Sequence, residues 1–136
     1  MPDWITVRTP HGESIATSRA PLDPETTDAL VKAARRIRPP MRPTQGKPRS
    51  SVYVVLLEFG AGDYGLYVGM TGLTPDQRFM NHKAGYKASK WVRKYGIGLL
   101  PALYRHLNPL ESSEAATAEV ALAESLARTG IRVKQG

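Results

Sequence analysis

SVYVVLLEFGAGDYGLYVGMTGLTPDQRFMNH, residues 51–82, is the stretch whose reading decides the fold. Val52 to Phe59 is an almost unbroken apolar and aromatic run of strand length, rich in β-branched residues, which predicts a central strand covered on both faces. Gly60, Gly62, Asp63 and Gly65 then tolerate the backbone angles of a tight turn, and Leu66 to Val68 gives a second short strand, so the pair reads as an antiparallel hairpin ended by Gly69. Thr74-Pro75-Asp76-Gln77 reads as a helix start. A Thr cap, Pro in the first turn, Asp at the positive end of the dipole and Gln reaching back are the parts of a capping box.

Upstream, Trp4 to Val7 and Ser14 to Thr17 are short β-prone runs around Pro10-His11-Gly12 and predict a small hairpin. Asp23-Pro24-Glu25 caps a helix expected to run to about Ile37, with Leu30, Ala33, Ala34 and Ile37 at helical spacing. Pro39 to Ser50 is rich in Pro and basic residues and reads as a linker or surface arm. Residues 1–50 are therefore taken as an N-terminal extension of hairpin, helix and linker, packed as an extra layer on a domain of residues 51–136.

Downstream of His82, Gly85 stops the helix and Ala88 to Tyr95 predicts a second short one. Ser112 or Ser113 is expected to cap a long helix ending at Gly130, and Ile131 to Lys134 to form a last strand. The fold class is α+β: a small mixed or antiparallel central sheet of about three strands flanked by helices.

The 136 residues, 41% hydrophobic and 23% charged, suit one globular core and are short for two domains. Cysteine is absent, which excludes disulfides and thiolate metal sites. No apolar run reaches membrane-spanning length and no export signal is legible, so a cytoplasmic protein without a membrane partner is expected. The net charge is +7, unevenly spread: residues 75–105 carry seven Lys or Arg against one acid, Asp76. A field of that sign attracts a polyanion. Lys83, Tyr86, Lys87, Lys90, Arg93 and Lys94 interleave cations with rings, a pattern that takes phosphates and stacks bases, and are the candidate nucleic-acid contacts; Trp91 reads better as core.

Tyr53 in Ser51-Val52-Tyr53, Tyr67 in Tyr67-Val68-Gly69, and Arg78 on a helix nine residues after Gly69 together resemble the GIY-YIG endonuclease family over residues 51–136. Ser51 departs from the pattern, standing where the family writes the glycine of GIY; His82 falls where several branches carry His or Tyr. The resemblance implies a third strand near Ala102 to Leu107, where Gly98 to Leu107 otherwise allows a helix as well. It further implies a metal-dependent endonuclease that hydrolyses DNA by a one-metal mechanism with Mg²⁺ or Mn²⁺. Tyr53, Tyr67, Gly69, Arg78 and His82 would form the catalytic site: Tyr67 handling the attacking water with help from His82, Arg78 pairing with the scissile phosphate, and Tyr53 hydrogen-bonding within the site.

The implied metal-binding glutamate lies on the last helix, where Glu119 and Glu124 both stand. At about 100° per residue, Ala115, Ala118, Leu122 and Leu126 form the buried stripe, Glu119 falls on its edge and Glu124 points away, so Glu119 is preferred. Distance from the chain end favours Glu124 instead. The substrate class spans duplex, branched, damaged and single-stranded DNA, and RNA. Two other readings fit the same residues: a catalytically silent nucleic-acid-binding module, and a basic adaptor that holds a protein partner through residues 1–50. P-loop, dinucleotide, His/Cys metal-cluster and nucleophile-elbow motifs do not occur.

Overall fold

The computed structural model describes residues 22–40 and 48–136, together with the backbone of two short strands, β1 (Thr6–Arg8) and β2 (Ser14–Ala16). The remaining parts of the expected N-terminal runs, and residues 41–47 of the expected linker, lie outside that set. The elements that follow are α1 (Pro24–Arg35), β3 (Ser51–Gly60), β4 (Asp63–Thr71), α2 (Pro75–Ala84), α3 (Lys90–Tyr95), β5 (Gly96–Leu99), α4 (Ser112–Ala127) and β6 (Arg132–Gln135). They build an α+β protein around one mixed sheet of order β2-β1-β5-β3-β4-β6. The expected count of about three strands is too low: β1 and β2 join the same sheet through β5, and β6 adds a parallel edge to β4.

β3 and β4 form the long antiparallel hairpin, in register from Ser51 opposite Thr71 to Glu58 opposite Tyr64. Pairing fixes the faces. Tyr53 and Gly69 share one face with Val55 and Tyr67, while Val54 and Val68 share the other. α2 and α3 cover the first face, where His82, Trp91 and Tyr95 meet residues of β3. α4 covers the second: Gln135, in register with Val68, reaches Glu119 of α4. With helices on both sides, Val52 through Leu57 are fully buried, the environment that a continuous apolar run predicts.

α1 lies on α4 and belongs to the same core through Leu30, Ala33 and Ala34. The Asp23 side chain caps it by accepting from Thr26 N at 2.8 Å. At its other end His106 Nε2 donates to the carbonyls of Ala34 and Ile37, at 3.1 and 3.0 Å. Ser125 Oγ of α4 donates to Ala33 O at 2.7 Å, so a buried hydroxyl ties the two helices together.

The third strand is not at Ala102 to Leu107. It is β5, Gly96–Leu99, and Pro101 then opens a 3₁₀ turn, Pro101–Leu103. Proline lacks the N–H that a ladder needs, and the chain instead turns through bonds from Tyr104 N to Pro101 O and from Leu107 N to Tyr104 O. Leu100, Leu103, Tyr104, Leu107 and Leu110 are all buried, so the apolar signal marked core packing rather than a strand. Beyond β5 the free edge of β3 is closed piecemeal. Leu100 N donates to Val54 O, Asn108 Oδ1 accepts from Val52 N at 2.9 Å while Asn108 Nδ2 donates to Val52 O at 2.8 Å, and Ser50 pairs with Leu110.

α4 starts one residue earlier than the expected serine caps. Glu111 is its cap, and its backbone N–H donates to Glu114 Oε1 at 3.0 Å.

Candidate active site

The capping box of α2 forms as its sequence requires: Gln77 N donates to Thr74 Oγ1 and Thr74 N to Gln77 Oε1. That fixes the helix phase. Arg78 and His82, one turn apart, then face the β3–β4 hairpin, and Gly85 ends the helix in the left-handed region at φ 87°.

Tyr53, Tyr67 and His82 converge beneath α2. His82 is 0% exposed, Tyr53 1% and Tyr67 5%. Tyr53 Oη lies 2.8 Å from His82 Nε2, and the three rings stand about 6 Å apart, centroid to centroid. The tautomer follows from the other imidazole nitrogen. Ser89 N donates to His82 Nδ1 at 2.9 Å, so Nδ1 is an unprotonated acceptor and Nε2–H is the donor to Tyr53 Oη. Tyr53 therefore keeps its own proton to donate, and the groups acting on its hydroxyl are Tyr67 and Arg78.

Electrostatics separates these roles. Burial, and then the neighbouring Tyr67, push the Tyr53 phenol well above its ordinary value, against a smaller opposing pull from Arg78. Tyr53 stays protonated. Burial first, and the Arg78 charge second, lower His82 to about 4, far from the value near 6.5 expected of a helper base. With both nitrogens engaged and no exposed surface, His82 is a fixed neutral donor that positions Tyr53.

The Gly69 backbone lies close against both tyrosines. A Cβ there would lie 2.6 Å from Tyr53 Oη and 3.0 Å from the Tyr67 ring, so glycine is a packing requirement. Sequence reasoning grouped Gly69 with the catalytic residues; its contacts show a residue that lets two phenols meet.

Arg78 is half-buried. Its Nη2 donates to Lys87 O at 2.8 Å and its Nη1 to Tyr86 O at 3.4 Å, which straps the 85–89 loop against α2. Lys87 in this loop has φ 47°, a left-handed conformation that side chains other than glycine rarely adopt. Two guanidinium N–H groups are used by the loop and the group also acts on the Tyr53 hydroxyl, which leaves part of its five-donor fork for a ligand.

Glu119 faces inward at 8% exposure, and burial raises its carboxyl above the ordinary range; Gln135 Nε2 approaches Oε1 at 3.4 Å. Glu124 is exposed, as the helical phase predicted. Glu119 and the tyrosines sit on opposite faces, linked through two neighbouring residues at the end of β6. There Gln135 turns to Glu119, and the next residue, Gly136, packs against Tyr67, its would-be Cβ 2.8 Å from Tyr67 Oη. Among the described residues no three His, Cys, Asp or Glu cluster as a metal cage. One carboxylate suits a cation that keeps its waters and recruits phosphate oxygens.

Of the candidate nucleic-acid contacts, Lys83 is used internally: its Nζ donates to the carbonyls of Val92, Arg93 and Gly96, capping the end of α3. No local pattern signals this, since only the tertiary approach of α2 to α3 supplies those carbonyls. Tyr86 is 60% exposed with Lys87 over its ring. The Arg93 guanidinium lies against Gly85, and Lys90 and Lys94 stand over Trp91 and Tyr95. Trp91 is partly buried against the core.

No family model, curated protein or solved structure matches the chain. Among the described residues, no helix is long and apolar enough to cross a membrane.

Proposed function

We propose that this protein is a metal-dependent endonuclease of GIY-YIG type that hydrolyses phosphodiester bonds in cytoplasmic DNA. The observation that carries the reading is the convergence of Tyr53, Tyr67 and His82 under α2, with Arg78 acting on the same hydroxyl and Gly69 admitting both phenols. Hydrolysis needs a held water, stabilisation of charge on the phosphoryl oxygens and relief of charge on the leaving oxygen. Tyr67, held between Tyr53 and the end of β6, orients the water. Arg78 supplies its remaining N–H donors to the scissile phosphate, a charge-assisted contact that strengthens as negative charge builds. Tyr53 and His82 transfer no proton to substrate; they hold Tyr67 in place. Glu119 would hold a Mg²⁺ or Mn²⁺ ion, and such an ion supplies charge neutralisation at the phosphate.

The test is conversion of supercoiled plasmid, and cleavage of branched DNA and RNA, by the wild type and Arg78→Ala in Mg²⁺, Mn²⁺ and EDTA. Metal-dependent cutting reduced at least about 100-fold in the variant is the expected result. Binding without cutting on every substrate would leave a silent nucleic-acid module on this scaffold.

A further inference from the structure

The face of the sheet that carries Tyr53 carries a second constellation, built around Phe59 and Trp91. Phe59 packs with Trp91 and Tyr95 of α3, at centroid distances of 6.3 and 5.0 Å, and Trp91 and Tyr95 stack on one another at 6.2 Å. Cations stand over these rings. Lys134 Nζ of β6 is 4.4 Å and Lys90 Nζ 5.2 Å from the centroid of Trp91, and Lys94 Nζ is 5.2 Å from that of Tyr95. Arg132 covers Phe59 but is paired with Asp63 at 3.1 Å, so its charge is answered. The three lysines have no carboxylate partner among the described residues.

Two ammonium groups stand over one indole, 5.2 and 4.4 Å from its centroid, so the ring gathers two positive charges that attract an anion. The rings limit where the ammonium groups can go, so the lysines are partly ordered before any ligand arrives. Tyr53 and Phe59 are six residues apart on one strand and point to the same side. Lys134 pairs with Tyr67 in the sheet, and Lys90 follows the Ser89 amide bound to His82, so the lysines begin beside the candidate site.

We infer that Lys90, Lys94 and Lys134, pinned over Trp91 and Tyr95, form a phosphate track for the nucleic-acid strand that leads away from the candidate site. The inference rests on the nuclease reading for the position of the cut. The rings serve as seats for the cations rather than as stacking platforms, because the lysines already cover them. Lys134 is the new member: it is distant from α3 in sequence and reaches Trp91 only because β6 joins the sheet beside β4.

The test is the salt dependence of binding to fluorescein-labelled 20-base-pair duplex and to single strands of the same length, by anisotropy. For the duplex, the slope of log affinity against log salt should become shallower by about three units in the Lys90→Gln/Lys94→Gln/Lys134→Gln variant, by about one in Lys134→Gln alone, and not at all when the three are Arg. The single variant keeps the comparison valid if the triple variant fails to fold. Wild-type binding with an unchanged slope in Lys134→Gln and in a folded triple variant overturns the track and leaves the nuclease reading standing. Absence of any nucleic-acid binding by the wild type overturns both, as does lysine-dependent binding to anionic phosphatidylserine vesicles alone.

Discussion

His82 donates its Nε2 proton to Tyr53 Oη across 2.8 Å, and it can do so only because the Ser89 amide occupies Nδ1. The bond is set by a loop amide, buried from solvent, and it makes the state of one imidazole a condition for the placement of two tyrosines.

Stability should therefore fall with acidity through His82. In the folded protein its pKa is lowered to about 4, from an ordinary value of 6.5. Between those values the unfolded chain binds a proton that the folded chain does not, so stability is fully present above 6.5 and is lost as pH falls toward 4. The whole span is worth about 3 kcal/mol. Urea unfolding from pH 7.5 to 4 should show this slope, and His82→Gln should lack it while being destabilised at pH 7.5 by about 1–3 kcal/mol. A parallel slope in the variant would remove His82 as the source.

Gly69→Ala should force Tyr53 from its partner. The new methyl would meet Tyr53 Oη at 2.6 Å and Cζ at 2.7 Å, and a ring enclosed on every side has no free end to swing away. The expected cost is about 1–3 kcal/mol, read by thermal unfolding, together with loss of cleavage out of proportion to loss of fold.

Arg78→Lys keeps the charge and loses the fork. The carbonyls of Tyr86 and Lys87 lose paired donors, so hydrogen exchange of the 86–89 amides should quicken roughly ten- to a hundredfold while the strand amides are unchanged. Cleavage should fall with it, since a point charge does not replace bidentate contact with phosphate.

Glu119→Gln should be neutral or slightly stabilising at pH 7, because burial penalises the carboxylate and not the amide. The sign is opposite to that of His82: a raised folded-state pKa makes the charged form a cost above its ordinary range, and the difference from the variant disappears in acid. Metal-dependent cutting should be lost while the denaturation midpoint in urea is kept, a pair of results that separates a ligand from a packing residue.

Lys83→Met should destabilise by about 1–3 kcal/mol, since three carbonyls at the end of α3 lose a charged donor. Circular dichroism melts would register it. Equal stability would return Lys83 to the surface role that its place in a basic run suggested.

Most of what positions the site was legible because it is local. The capping box at Thr74, the apolar run of β3 and the Gly85 stop are patterns within a few residues, and each forms where the sequence placed it. The outward phase of Glu124 followed from helical periodicity in the same way, while Glu119, placed on the edge of the apolar stripe, lies inward. The strand placed at Ala102 to Leu107 failed because buried leucines look alike whether they line a strand or fill a core; Pro101 was the local clue against it. Partners distant in sequence were invisible. The Ser89 amide on His82, the Lys83 cap and Lys134 over Trp91 each depend on a meeting of elements that composition cannot announce.

The Asn108 side chain, joined to both backbone groups of Val52, stands in for a neighbouring strand at the point where β5 runs out. With Leu100 and Leu110 on either side, it leaves the edge of the strand that bears Tyr53 without an unpaired ladder. An exposed edge of that apolar sequence would be a template for self-association. Of the two edge strands, β2 and β6, the one beside β4 is β6, four residues long and carrying Arg132 and Lys134. A basic, short border of that kind discourages a second copy from adding its own strand. The stopgap amide thus keeps that apolar segment sealed inside the fold, and Asn108→Leu should reveal itself first as turbidity on concentration.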